Sequence, residues 1–531
     1  MTAPLLPGYE AQLHESGVQH SVEKLETSRQ DLVEWAADVT RCHPADNEDE
    51  TVAYRCTCSF QLIDVAAETE GKEQKDGNDD RVHNTRKRLA YAMRHQGSPL
   101  ALGDDVFPIA TKRIQAAMSG LLETLNTPCK DQSASVLCTH LTSVSFASSW
   151  NDQCPSNDTN GSDTMTTGID DNDNGERMQS SCDCFVTLHY NQPIDKVDMW
   201  KEHAGRVVDN LWLTKLSGRS KGKLTVVYGP EQRDYIHDTI WMERIGTDTI
   251  GGKTVTDGNT TASLVIPTIH RFSFRRGQQE NTVPSDDNVD ETSNREWIPI
   301  HYAKPETAFF HPNAHTMLRA LEWMMERVRC IRLSKQGCNN DDNDNVKDRS
   351  GGIDQNDKSM SSLSSSSPSS CRMLEMYCGC GAHTVPLASS GLLSSIVAVE
   401  LDQRLVQACK ENCRRNGLST KVQVVAGDAA QWARKLLLRE RKKQNDRLNT
   451  HDGDDYDVLL VDPPRMGLDE DVCRLAIEGP FQHVLYISCG RRALQRDLER
   501  LHEHFRVWDC TLTDLFPRTD AVESLIHLVR R

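Results

Sequence analysis

Residues 460–490 read LVDPPRMGLDEDVCRLAIEGPFQHVLYISCG. The runs at 457–461 and 483–487 have the pattern of parallel strands buried on both faces. Each ends in polar chemistry: Asp462-Pro463-Pro464-Arg465 after the first, Ser488-Cys489-Gly490 after the second. Ligands of open α/β sheets sit outside the carboxyl ends of the strands. A carboxylate, an arginine and a thiol are therefore predicted to share one edge, and the two prolines stiffen the exit that carries Asp462 and Arg465.

Outward from this stretch the pattern alternates. Strands are predicted at 373–377, 396–401 and 422–426, with helices after the CGCG turn at 378–381, at 403–416 and from 430. Downstream, a helix at 491–504 precedes two consecutive strands, 506–512 and 524–529, with no helix between them. That order predicts a doubly wound, Rossmann-like α/β domain over 300–531, closed by an antiparallel hairpin. A helix at 314–328 leads into it, and a linker is predicted at 339–370.

Residues 1–299 read as a mixed α+β region. Helices are expected at 9–39, 111–124 and 200–213, and strands at 54–62, 136–147, 184–190, 224–228 and 263–267. Four stretches, 68–81, 152–177, 280–296 and 339–359, are too polar to bury a core. Together they hold 25 acidic residues against 8 basic ones, an excess equal to the chain's net charge of −17. The remainder is nearly neutral, so the acidic balance does not exclude a nucleic-acid partner.

The first twenty residues lack an apolar signal core, and no run reaches the ~18 apolar residues of a membrane span. The 18 cysteines are expected as reduced thiols in a cytoplasmic or nuclear protein. The CxC pairs at 56–58 and 378–380 have no second pair to complete a zinc site, so no metal is expected.

Glu400 ends the second strand of the C-terminal domain, 23 residues after Tyr377. A glycine turn after the first strand and an acid at the end of the second are the parts of a nucleoside site, the acid holding ribose hydroxyls. A solvated strand-end acid is the plainer alternative for Glu400, and for Asp428 a turn acid competes with an adenine contact. Cys489 alone would read as an ordinary buried cysteine; beside Asp462 and Arg465 it reads as a functional thiol at the reactive edge.

The segments VDPPRMGLD, LYISCG, EMYCGCG, AVEL, FFHPNA and FPRTDAVES together resemble the RNA uracil-5 methyltransferases, and among them the TrmA-type tRNA (uracil-5-)-methyltransferases. The resemblance is strongest over 302–531 and fainter at 9–13, 54–60 and 234–236. It implies an S-adenosyl-L-methionine (AdoMet)-dependent methyltransferase domain, with the N-terminal region holding RNA. It implies Cys489 as nucleophile and Glu523 as general base, with His311, Tyr377, Glu400 and Asp462 binding AdoMet or ordering the site. The substrate it implies is uridine 54 of the tRNA T-loop, the alternatives being ribosomal RNA or a non-catalytic RNA-binding role. A monomer with tRNA as partner and no membrane association is expected. The chain departs from the family pattern at His311 (Gln), Gly490-Arg491 (Asn-Pro), Cys380 and Ala382 (both Asn), and Thr57 (Arg).

The implied chemistry suits these residue types. C5 of uracil is a weak nucleophile. A thiolate added at C6 gives C5 enolate character, and a base must later remove the C5 proton so that the thiol can leave. Glu523 begins the last strand. If that strand is antiparallel, its start lies at the edge where the parallel strands end, beside Cys489.

Overall fold

The computed structural model describes residues 55–66, 87–95, 98–102, 107–127, 134–150, 183–220, 223–229, 234–249, 265–274, 295–306, 310–311, 313–341, 371–445, 456–514 and 522–531. The expected helix at 9–39, most of the four polar stretches, Tyr54 and residues 516–521 of the FPRTDAVES motif lie outside them. Two compact units result: Asn47–Asp238 with Pro312–Ala314, and Thr239–His311 with His315–Arg531. Compactness thus groups 239–299 with the C-terminal domain, whereas the sequence reading drew the division at 299/300.

In the first unit seven strands run in the order β3-β2-β1-β4-β5-β6-β7. They are β1 (Thr57–Ala66), β2 (Lys87–His95), β3 (Ser98–Ala101), β4 (Leu141–Ser148), β5 (Cys184–Tyr190), β6 (Lys215–Ser220) and β7 (Lys223–Tyr228). Only β5 and β6 pair in parallel. Helices α1 (Lys112–Asn126), α2 (Ala134–Cys138) and α3 (Val197–Leu211) accompany the sheet. Ile114, Met118 and Leu121 of α1 and Trp200 and Ala204 of α3 share a core with Phe60, Phe146 and Leu188 of the strands. Thr111 caps α1, its hydroxyl accepting from the Ile114 amide. Residues 136–138, expected as the start of the strand at 136–147, belong to α2 instead; ASVLC is a short apolar run of a kind that either element accommodates.

The second unit holds two sheets. Strands β8 (Tyr235–Thr249), β9 (Val265–Ser273) and β10 (Arg295–Pro305) form the smaller one, in the order β10-β8-β9. Helix α4 (Ala314–Asp341) then leads to the larger sheet: β11 (Arg372–Met376), α5 (Thr384–Ser389), β12 (Ser395–Glu400), α6 (Gln403–Arg415), β13 (Val422–Ala426), α7 (Ala429–Asn445), β14 (Val458–Val461), α8 (Glu470–Glu478), β15 (His483–Ser488), α9 (Arg491–Leu501), β16 (Phe505–Thr513) and β17 (Glu523–Arg530). Both β10 and α4 extend into the ends of stretches read as unfolded.

The larger sheet runs β13-β12-β11-β14-β15-β17-β16. Its first five strands are parallel, and β17 inserts antiparallel between β15 and β16, Ser488 facing Ser524. Every residue of β14, VLLV, is buried. Helix α9 turns Leu494, Leu498 and Leu501 inward, and each such burial is worth about 1.5–3 kcal/mol. The expected Rossmann-like α/β architecture is therefore present. Strand order reverses beside β11, so the exits of β11, β12 and β14 border a topological switch point, where such sheets bind ligands.

Candidate active site

A cavity of roughly 690 Å³ opens at the carboxyl edge of the larger sheet. Its walls contain His311, Tyr377, Glu400, Asp462, Cys489 and Glu523, all six residues singled out from the sequence, together with Asp428 and Arg465. Parallel strands bring Tyr377, Glu400, Asp462 and Cys489 there by their ends, and the antiparallel β17 brings Glu523 by its start.

One part of the cavity is formed by the glycine turn. Tyr377 has φ +66°, a left-handed conformation rare for a residue with a side chain and worth about 1–3 kcal/mol of strain. Gly379 and Gly381 also have positive φ, and a Cβ at Gly379 would meet nothing within 4 Å, so the turn leaves open space for a ligand. The Gly379 and Asp402 amides donate to the two carboxylate oxygens of Glu400, at 3.0 and 2.8 Å, which joins the acid to the turn. Behind the turn, the Tyr302 hydroxyl donates to the Ala382 carbonyl (3.0 Å) and the Asn412 amide to the Cys380 carbonyl (2.9 Å). The turn is thus held through its main chain, although Cys380 and Ala382 replace the family's asparagines. Asp428 accepts from the Gln431 amide (2.9 Å) at the start of α7 while lining the cavity. Glycine turn, strand-end acid and open space fit the nucleoside half of AdoMet.

The other part carries the reactive groups. Cys489 is half-buried. Burial raises its thiol pKa, the Glu523 and Asp462 carboxyls raise it further, and the Arg465 guanidinium opposes them. Glu523 is buried, which pushes its carboxyl up to about 8, with Asp462 adding to the rise. Burial likewise pushes Asp462 to about 7, although 27% of its side-chain surface remains exposed. Because Asp462 raises Glu523, Glu523 resists ionising while Asp462 is charged.

His383, at the start of α5, belongs to this group and was not singled out from the sequence. Its Nδ1 lies 3.9 Å from Asp462 Oδ2, and its Nε2 lies 3.2 Å from His311 Nε2. Both imidazoles are buried, and burial holds both well below the usual histidine range. The histidine after CGCGA was the available signal. Behind them, Glu375 is buried and pushed up to about 8, bonded by the Thr384 hydroxyl at 2.7 Å.

The loop after β14 is fixed from α9. Asp497 accepts from the Leu468 amide (2.7 Å) and the Tyr486 hydroxyl (2.8 Å), and Arg496 donates to the Met466 carbonyl (2.8 Å). Gly490, where the family has Asn, has a steric reason. A Cβ there would lie 2.4 Å from the Arg465 carbonyl oxygen and 3.1 Å from its carbon, both backbone atoms. Gly490→Ala is expected to cost about 1–3 kcal/mol and to displace the Arg465 loop, lowering turnover more than AdoMet affinity. Denaturant melts and calorimetric AdoMet titration of the variant check this.

Cys489 carries a free thiol. No described helix is long and apolar enough to cross a membrane.

A family model described as tRNA (Uracil-5-)-methyltransferase matches residues 362–531. The tRNA/tmRNA (uracil-C(5))-methyltransferase of Stutzerimonas stutzeri is 26% identical over 444 residues, covering 83% of each chain. That of Azotobacter vinelandii is 30% identical over 351 residues, covering 66% of this chain and 68% of its own. Among solved structures, Pyrococcus abyssi tRNA (uracil-54, C5)-methyltransferase in complex with S-adenosyl-L-homocysteine is similar at 13% identity and a TM-score of 0.45, covering 100% of this chain and 87% of that one. The chain belongs to the tRNA (uracil-5-)-methyltransferase family.

Proposed function

We propose that this enzyme methylates C5 of uridine 54 in the tRNA T-loop through a covalent bond between the Cys489 sulfur and C6 of uracil. The observation that carries the reading is that a thiol and a raised-pKa carboxyl, Cys489 and Glu523, share one wall of a cavity beside a nucleoside-type site. The thiolate, favoured by the Arg465 guanidinium, adds to C6. AdoMet, when bound, supplies the methyl group that C5 receives. Glu523 then takes the C5 proton. The released electron pair re-forms the C5–C6 double bond, and the Cys489 sulfur leaves as thiolate. Tyr377 and Glu400 hold the cofactor, and the first compact unit holds the RNA.

A target base has to leave its stack to reach such a cavity, which favours loops over helices. An isolated T-arm hairpin is therefore expected to be methylated by the purified enzyme, with the label mapping to uridine 54. Methylation of ribosomal fragments but not of the hairpin would favour the ribosomal reading. Label at neither sinks the reading.

The pH dependence follows from Glu523. A base works only when ionised, and a carboxyl raised to about 8 gains its ionised form as pH rises. The raised thiol of Cys489 acts in the same direction. kcat/KM is expected to climb from pH 6 through pH 8 without levelling there, because the Cys489 thiol is raised above its ordinary range. A profile already flat at pH 6 contradicts this.

A further inference from the structure

The loop that leaves β14 presents a side chain for which the reaction has no use. Met466 lines the cavity beside Arg465 and is 79% exposed, the most exposed large apolar side chain among the described residues. Its backbone is fixed. The Arg496 guanidinium donates to the Met466 carbonyl at 2.8 Å, and the next residue, Gly467, has φ +79°. A Cβ on Gly467 would stand 2.4 Å from an Asp497 carboxylate oxygen and 2.7 Å from an Arg496 nitrogen, so the turn is packed against α9. The Leu468 amide donates to Asp497 at 2.7 Å, which pins the other end of the turn. A rigid turn thus holds an apolar side chain in water at the rim of the cavity. Methionine, flexible and polarizable, suits a surface that has to mould itself to a ligand.

Cations lie beside this side chain. Helix α9 carries four arginines against two acids. Arg492, Arg496 and Arg500 recur every four residues and form one ridge of the helix. Of the acids, Asp497 is buried and bonded by Arg496, and Glu499 accepts from Gln495 at 3.4 Å. Arg492 and Arg465 are exposed, and among the described residues neither makes an ion pair. Gly490 abuts the Arg465 carbonyl and Arg496 holds the Met466 carbonyl, so Arg492 lies between two points at which α9 touches the loop. The first turn of α9 contains no acid. An arginine in that turn opposes the helix dipole and costs stability, so folding gives no reason for Arg492.

We propose that this rim docks the RNA strand carrying the target uridine, with Met466 packed on the base next to the target and Arg492 holding a neighbouring phosphate. The proposal rests on the RNA methylation reading given above and adds where the strand lies on the catalytic unit. A uridine that enters the cavity leaves its stack and uncovers a face of the adjoining base. Apolar side chains, Met among them, fill such gaps in protein–nucleic acid complexes. A guanidinium matches a phosphate with paired donors and keeps its charge at every working pH. The competing role for Met466, as a wall of the cavity, is a cover over the bound cofactor. That role gives Arg492 nothing to do, whereas an RNA strand uses both residues at once.

The test uses full-length enzyme and T-arm RNA. RNA binding is measured across a salt series, methylation in single turnovers, and AdoMet affinity by calorimetry. A wild type that binds the RNA without methylating it overturns the reaction reading alone, because the variants still test docking through binding. Arg492→Gln is expected to weaken RNA binding about tenfold and to flatten the slope of log affinity against log salt by about 0.7, the share of one phosphate on a single strand. Arg492→Lys keeps the charge and is expected to recover most of that slope. Met466→Ala is expected to keep the wild-type slope and AdoMet affinity but to methylate about tenfold more slowly, with Met466→Leu recovering the rate. An abasic site next to uridine 54, on one side and then the other, removes the base that Met466 covers. On one of these two RNAs wild type and Met466→Ala should therefore react alike. Wild-type affinity and slope in Arg492→Gln overturn the proposal, as does a wild-type rate in Met466→Ala. A loss of AdoMet affinity in Met466→Ala that matches its loss of rate also overturns it, in favour of the cofactor cover. So does a full difference between wild type and Met466→Ala on both abasic RNAs.

Discussion

Glu523→Gln is expected to trap RNA covalently on the protein, and Cys489→Ala to trap none. The asymmetry follows from the order of steps. Addition of the sulfur comes first, so without Cys489 no bond to C6 forms. Removal of the C5 proton comes last, so without a base at position 523 the methylated adduct cannot expel its sulfur. A positioned base contributes about 10² to 10⁴ in rate, enough for the adduct to dominate a denaturing gel within one turnover time. Glu523 is buried where β17 begins, and Gln matches its shape, so the loss reports chemistry more than folding. Normal turnover by Glu523→Gln would move the base elsewhere, and Asp462, on the same wall, would be the next candidate.

Asp497→Ala is expected to destabilise the catalytic domain by about 3–5 kcal/mol. Asp497 is fully buried on α9 and accepts from the Leu468 amide, the Tyr486 hydroxyl and Arg496. Removing it strands two buried donors and leaves Arg496 and Arg500 without their common partner. Arg496 is 42% exposed and can turn to water, so the larger cost falls on the two stranded donors. Asp497→Asn keeps one acceptor oxygen and should lose distinctly less. Urea melts measure both, and equal midpoints for Ala and wild type would contradict the clamp. Because Leu468 and Met466 belong to the loop that starts at Asp462, the Ala variant should also lose activity below its melting range.

The catalytic domain was legible because its central strands are buried on both faces. Continuous apolar runs such as VLLV leave a mark that polar neighbours cannot blur, whereas the edge strand β13, with only Val422 buried, shows itself by its β-branched residues. The convergence of Cys489 and Glu523 was legible for a topological reason. Two strands without an intervening helix imply an antiparallel return, and that fixes which end of β17 meets the site. The first unit was harder to read. Strand β6, KLSGRS, hides polar residues: the Lys215 side chain is 1% exposed, paired with Asp234 at 2.9 Å and lying over the Phe185 ring. No apolar run announces such a strand, and β2, β8 and β10 escaped similarly. His383 escaped for another reason. Its significance depends on His311, 72 residues away, and a pairwise contact of that kind has no periodicity in the sequence.

The close approach of Arg465 to Gly490 has an evolutionary consequence. With a backbone oxygen 2.4 Å from where a Cβ would stand, no side chain can enter at 490 until the loop after β14 has withdrawn. That loop, once withdrawn, has no reason to return while a side chain remains. Gly490 and the course of the loop after β14 are therefore expected to change together or not at all. Transplanting a nucleophile segment with Asn at 490 into this loop background should fail even though every residue is acceptable in its own context.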